Sequence, residues 1–203
     1  MTRAWLVARP LDGAVGVSTS RGWVGGRPAW DLTLRLGELV ARADAAPLPA
    51  FGTETPERCG AALAAFLRAV DDLTEAQFEA AIAGDAARDA LLDPLADAPC
   101  ARAAAEAALL TLGAARVGRS LAACLSPDAA RRVAANALIV GDDPVSVAAS
   151  VRRARARGFD TLKLKVAGRP LDEDRARVEA ARAAAGPGVR LRLDANGGWT
   201  VNE

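Results

Sequence analysis

With 203 residues, 51% of them hydrophobic and 25% charged, the chain has enough apolar mass for a sizeable core and lies far from the composition of a disordered segment. Its 26 basic and 25 acidic residues leave a net charge of +1, which excludes a broad electrostatic field for nucleic acid or an anionic membrane. Histidine is absent from these residues, so they cannot assemble a Ser-His-Asp triad, a Cys-His pair or a His-ligated metal, and acid–base chemistry falls to Lys, Asp, Glu or Cys.

The first stretch, MTRAWLVARPLDG, has no long apolar region of the signal-peptide kind, and no run approaches the roughly 18 apolar residues of a membrane span, so a cytoplasmic location is expected. Arg3 to Arg9 reads as a strand, RGWVGGRP (Arg21 to Pro28) as a glycine-rich loop, and WDLTLRLGELVARAD as a strand and hairpin turning near Gly37 and Glu38. APLPAFGTETPE (Ala46 to Glu57) is a loop that leads into a helix, with Thr55 as N-cap and Pro56 at the first helical position. Helical periodicity then runs to about Gly118 in three segments. The middle one, TEAQFEAAIAGDAARDALL, opens on a capping box formed by Thr74 and Gln77. Strands followed by helices predict an α+β domain over residues 1–128. Cys59, Cys100 and Cys124 are odd in number and outside any CxxC spacing, which predicts buried free thiols and no zinc site.

From residue 129 the grammar changes. VAANALIV (Val133 to Val140) is a short apolar strand, VSVAASVRRARARG a helix ending at Gly158, and DTLKLKV a strand. LDEDRARVEAARAAAG follows as a helix ending at Gly186, and VRLRLDANGGW as a strand running into a glycine turn. This β-α-β-α-β order predicts a parallel sheet with right-handed crossovers. GDDPVS lacks the glycine spacing of a dinucleotide-binding turn, whereas the rhythm fits a (β/α)8 barrel. Residues 129–203 hold about three barrel strands, so the chain is expected to be a truncated portion of such a barrel.

Alternation in DTLKLKV puts Lys163 and Lys165 on one face and Leu162, Leu164 and Val166 on the other. One βα unit later, RLRLDAN puts Arg190, Arg192, Asp194 and Asn196 on one face. Two consecutive parallel strands therefore carry a polar face that ends near the strand C-terminus, the rim where barrel enzymes place catalytic groups. A carboxylate there can ligate a divalent cation and a lysine beside it can serve as a base, which points to proton abstraction next to a carboxylate with cation stabilisation of the enediolate.

On these residues the chain resembles the enolase superfamily. KLK (Lys163 to Lys165) resembles the KxK motif of the muconate lactonizing enzyme subgroup, and DAN (Asp194 to Asn196) its metal motif on the third strand. The α+β domain, with the glycine-rich loop at Gly22, Trp23, Gly25 and Gly26, resembles that superfamily's capping domain. Within the subgroup, RLRLDANGGWT, APLPAFGTET and NALI look like the o-succinylbenzoate synthase family. Where that family has a Gly-Glu pair before the loop, this chain has Ala43 and Asp44.

The resemblance implies a Mg2+-dependent hydro-lyase of menaquinone biosynthesis that dehydrates 2-succinyl-6-hydroxy-2,4-cyclohexadiene-1-carboxylate, a small-molecule carboxylate. It implies Lys165 as general base, Lys163 as its assistant and substrate contact, and Asp194 as first metal ligand. Arg192 and Asn196 follow as groups on the substrate side or behind the metal. The remaining ligands and a second lysine are expected beyond residue 203, so these residues alone are expected to bind metal poorly and not to turn over. The same lysines would serve an N-succinylamino acid racemase, a dipeptide epimerase or a muconate cycloisomerase, and a noncatalytic fragment with a structural charge cluster is a further reading. A mandelate racemase-type enzyme is disfavoured, because that subgroup has His or Arg at the position of Lys165. Asp142 and Asp143 read as turn and cap residues.

Overall fold

The computed structural model describes residues 3–11, 16–19 and 22–202. The chain divides into two compact units, Met1–Ala14 with Gly26–Ala130, and Val15–Gly25 with Arg131–Glu203.

In the first unit, β1 (Ala4–Ala8), β4 (Trp30–Leu36) and β5 (Leu39–Ala45) form an antiparallel sheet in the order β1-β4-β5. The central strand alternates as its sequence requires, with Leu32 and Leu34 fully buried. Gly37, at φ 57°, makes the hairpin turn between β4 and β5, a backbone conformation that side chains with a Cβ resist.

Four helices cover this sheet's core. Helix α1 (Pro56–Asp71) starts as expected, with the Thr55 hydroxyl accepting the N–H of Arg58 at 3.2 Å and Pro56 in the first turn. Its residues Cys59, Leu63, Phe66 and Val70 recur at helical spacing and are all buried. The segment from Thr74 to Leu92 is two helices, where the sequence predicts one. The Thr74/Gln77 capping box forms and opens α2 (Glu75–Ala83), but Gly84 takes an extended conformation (φ −127°, ψ 149°) and restarts the chain as α3 (Asp85–Leu92). Glycine has the least helical preference of any residue but proline, so the break falls where resistance is lowest.

Helix α4 (Pro99–Arg116) buries Ala101, Ala104, Ala105, Ala108, Leu109 and Leu112, a stripe of small residues that lets it lie close against β4 and β5. Its first turn is capped from outside. The buried carboxylate of Glu54 accepts the N–H of Cys100 at 3.1 Å and of Ala101 at 3.0 Å, which satisfies two donors that a helix start leaves without partners. Of the three thiols expected to be buried, only Cys59 is fully so; Cys100 is half-buried and Cys124, in the short helix α5 (Leu121–Leu125), is exposed.

In the second unit, β6 (Ala137–Ile139), β7 (Thr161–Lys165) and β8 (Arg190–Asp194) form a parallel sheet in chain order, joined by α6 (Pro144–Ala156) and α7 (Leu171–Ala185). This is the β-α-β-α-β order read from the sequence. The first strand is shorter than expected: of Val133 to Val140 only Ala137–Ile139 pairs with β7. Ile139, Leu162, Leu164 and Val166 pack against Val147 and Val151 of α6 and Ala181 of α7. Asp143 caps α6 through the N–H groups of Val145 and Ser146, as its type predicts, and Asp142 lies in the bend before it, with its side chain paired to Arg169.

The stretch read as a glycine-rich loop contains a strand. Residues Gly22–Val24 (β3) pair antiparallel with Val17–Thr19 (β2). Residues 20 and 21 and the side chain of Trp23 lie outside the described set, while Gly25 and Gly26 follow β3 without regular structure.

Candidate active site

Register assembles the site. The parallel pairing of β7 with β8 sets Lys163 opposite Arg192 and Lys165 opposite Asp194. Because side chains alternate along each strand, the leucines between these residues share one face of the sheet, where Leu164 is buried and Leu193 is exposed, and the charged ends gather on the other.

Both lysines reach the same oxygen. Lys163 Nζ and Lys165 Nζ each lie 2.7 Å from Asp194 Oδ2, with the three side chains between 18% and 29% exposed, deep enough to be shielded and open enough to be approached. Lys165 Nζ also donates to Asn196 Oδ1 at 2.6 Å. The second carboxylate oxygen, Asp194 Oδ1, accepts the N–H of Asn196 at 3.0 Å, so Asp194 bonds forward into the turn that carries Asn196. Asn196 itself has a positive φ of 48°, a conformation asparagine tolerates better than most residues. Hydrogen bonds from Lys163 and Lys165 outweigh partial burial and hold the Asp194 carboxyl well below the usual carboxylate range, so it is an anion at neutral pH.

The structure therefore brings together Lys163, Lys165, Asp194 and Asn196. Arg192, on the same face, is exposed and directed to Asn136, whose Oδ1 accepts from its Nη1 at 3.1 Å, away from the lysine cluster. Two residues that sequence reading missed stand directly behind Lys165. Asp174 and Arg177 of α7 form a buried ion pair whose remaining bonds reach the backbone on either side of β7's end. Their spacing with Ala181 along one helical stripe is the signal that marks them as inward-facing.

A divalent cation is not held by this set alone. Among the described residues no group of three acidic or thiol side chains converges, and the single carboxylate at the cluster has both oxygens engaged by Lys163, Lys165 and Asn196. A Mg2+ site needs several oxygen ligands, and Asp194 is the one side chain of this cluster with the charge to be among them.

Two parallel βα units that follow an α+β unit in the chain, with paired lysines facing a carboxylate one strand over, are the features on which the resemblance to the enolase superfamily rests. Residues 146–203 match the family described as enolase C-terminal domain-like. Among named relatives, a hydrophobic dipeptide epimerase from Roseobacter litoralis is 41% identical over 110 residues, which span 52% of this chain and 31% of that protein. A D-Ala-D/L-Ala epimerase from Cytophaga hutchinsonii is 35% identical over 103 residues, 50% of this chain and 27% of that protein. The crystal structure of the dipeptide epimerase from Enterococcus faecalis, complexed with Mg and the dipeptide L-Leu-L-Tyr, superposes with a TM-score of 0.84 at 24% identity, covering 98% of this chain and 54% of that one. The chain thus spans less than a third of the two named relatives' length and about half of the solved one.

These relatives overturn the expected activity. They are epimerases, enzymes that invert a stereocentre, and not hydro-lyases, so the o-succinylbenzoate synthase reading and its place in menaquinone synthesis are withdrawn. The resemblance reads KxK and DAN, the motifs behind that expectation, as the place where a proton is handled, and a lysine that takes a proton from carbon can serve elimination and inversion alike. Nothing in those two motifs selects the substrate. Among the described residues no helix is long and apolar enough to cross a membrane.

Proposed function

We propose that this chain supplies one half of the proton-transfer site of a dipeptide epimerase. The reading rests on one observation above the others, the convergence of Lys163, Lys165, Asp194 and Asn196 at the C-terminal ends of β7 and β8, in a chain whose named relatives invert dipeptide stereocentres. In this reading residues 129–203 are barrel-type βα units and residues 1–128 a domain of the capping type.

Lys165 is the group that removes or returns the proton on the α-carbon of one dipeptide residue. Its Nζ is held between Asp194 Oδ2 and Asn196 Oδ1, so a proton can be exchanged without the side chain searching for its position. Lys163, two residues back on the same face, neutralises the negative charge that develops on the carboxyl or amide oxygen when the α-proton leaves. Asp194 orients both amino groups. Inversion requires delivery from the opposite side of the α-carbon, and Lys165 serves one side.

The test is deuterium incorporation at the α-carbons of L-Leu-L-Tyr in D2O, followed by NMR on the full-length protein. The Lys165→Ala variant is expected to lose about 10²–10⁴-fold in exchange rate while its circular dichroism is unchanged. Exchange as fast in that variant as in the parent, or none in the parent with any of a panel of dipeptides, would refute the assignment.

A further inference from the structure

We infer that Asp174 and Arg177, a buried ion pair on α7, are positioning residues that set the root of the Lys165 side chain; the inference rests on Lys165 being the proton-transferring group. The two side chains are 1% and 6% exposed, with Arg177 Nη1 2.7 Å from Asp174 Oδ1. The free valences of the pair go to the backbone flanking Lys165. Asp174 Oδ2 accepts the N–H of Ala167 at 2.6 Å, and Arg177 Nη2 donates to the carbonyl of Lys165 at 3.2 Å and to that of Gly141 at 3.0 Å.

Stability alone does not account for such a pair. Two charges taken out of water rarely out-stabilise an apolar pair of equal volume, and here the buried Nε of Arg177 has no partner among the described residues. What the pair supplies is geometry. It grips the peptide groups at residues 165 and 167, the point where β7 leaves the sheet, and ties them to residue 141, just beyond β6. Ala167 itself has φ 68°, a conformation that alanine adopts only when its surroundings impose it. The hydrogen bond that its N–H donates to Asp174 is such a constraint. With its Cα fixed from behind, Lys165 projects its Nζ to within 2.7 Å of Asp194. A displacement of about 1 Å at that root is enough to lose a productive geometry.

Lysine ammonium NMR and amide hydrogen exchange read the two ends of this clamp without substrate. Arg177→Lys, which keeps the charge but cannot fork to three acceptors, is expected to speed exchange of the Ala167 amide about tenfold or more. It is also expected to broaden the Lys165 ammonium signal, while the amides of Leu162 and Leu164 stay protected. In the full-length protein the same variant is expected to lower kcat for α-proton exchange about 10–100-fold with KM within about twofold. An unchanged Lys165 signal beside a freed Ala167 amide overturns the inference. Should Arg177→Lys lose the protection of β7, Asp174→Asn, which keeps volume and one oxygen, is measured in the same way, and loss of that protection in both variants makes the pair a folding element and overturns the inference. A broadened Lys165 signal in a protein that exchanges no dipeptide proton upholds the clamp and refutes only the proposed substrate.

Discussion

Lys163 and Lys165 share a single acceptor, Oδ2 of Asp194, at equal distances of 2.7 Å, so one carboxylate serves two amino groups. That arrangement fixes its response to acid. A carboxyl whose folded pKa lies below its unfolded value contributes stability that is fully present above the unfolded value, near pH 4, and is lost as pH falls through the folded one. The Asp194 carboxyl carbon is expected to titrate in 13C NMR well below the usual aspartate range. Asp194→Asn is expected to remove that part of the stability difference between pH 7 and pH 3 in urea unfolding. A midpoint for Asp194 among the ordinary aspartates would contradict the geometry.

Glu54 is a second carboxylate with a structural task. Burial works to raise its pKa, but the N–H groups of Cys100 and Ala101 together outweigh it, and the net shift is downward. Glu54→Ala leaves two donors at the start of α4 unsatisfied and is expected to cost about 1–3 kcal/mol in denaturant unfolding of the first unit. Glu54→Gln keeps the volume and one acceptor, and is expected to cost less. Its contribution, too, is present above the ordinary glutamate range and lost in acid.

Gly113 inverts a common rule. Replacing a mid-helix glycine by alanine is ordinarily stabilising by about 1 kcal/mol. In α4, however, a Cβ at Gly113 would stand 2.7 Å from the carbonyl oxygen of Ile82, across the contact with α2. Gly113→Ala is therefore expected to destabilise by about 1–3 kcal/mol, as overpacking does, and thermal unfolding decides the sign.

The thiols differ by burial. Desolvation, with Glu54 close by, pushes the Cys59 thiol up to about 12, so almost none is thiolate at pH 8. Iodoacetamide at that pH is expected to label the exposed Cys124 first and Cys59 only on unfolding, as peptide mass spectrometry would report.

Local signals were the most legible part of the sequence. Alternation in TLKLK and RLRLD placed Lys163, Lys165 and Asp194 on one face, and the register observed for β7 and β8 joins them as that alternation requires. Thr55, Thr74 and Asp143 were recognisable as caps because a short oxygen-bearing side chain ahead of a helical run has few other uses. What was hidden depends on tertiary partners. The apolar run from Val133 to Val140 looks like one strand, yet pairing with β7 is what selects Ala137–Ile139. Asp174 and Arg177 look like a solvated helical pair in LDEDRARVEAARAAAG, and only the packing of α7 against the sheet turns them inward. Substrate was the least legible of all, because KxK and DAN are too short to carry the shape of a recognised molecule.

The shared frame of β7 and β8 has a consequence for how such a protein can change. In β7 the even-numbered residues spell the core and the lysines between and after them the charged face, interleaved letter by letter. Substitutions at Lys163 or Lys165 can therefore be sampled by drift without disturbing Leu162 or Leu164. Insertion or deletion of one residue ahead of Thr161 that shifts the strand by one position would transpose both messages at once, sending lysines into the packed face and leucines to the solvent. The strand is open to evolution by point replacement and closed to it by change of length.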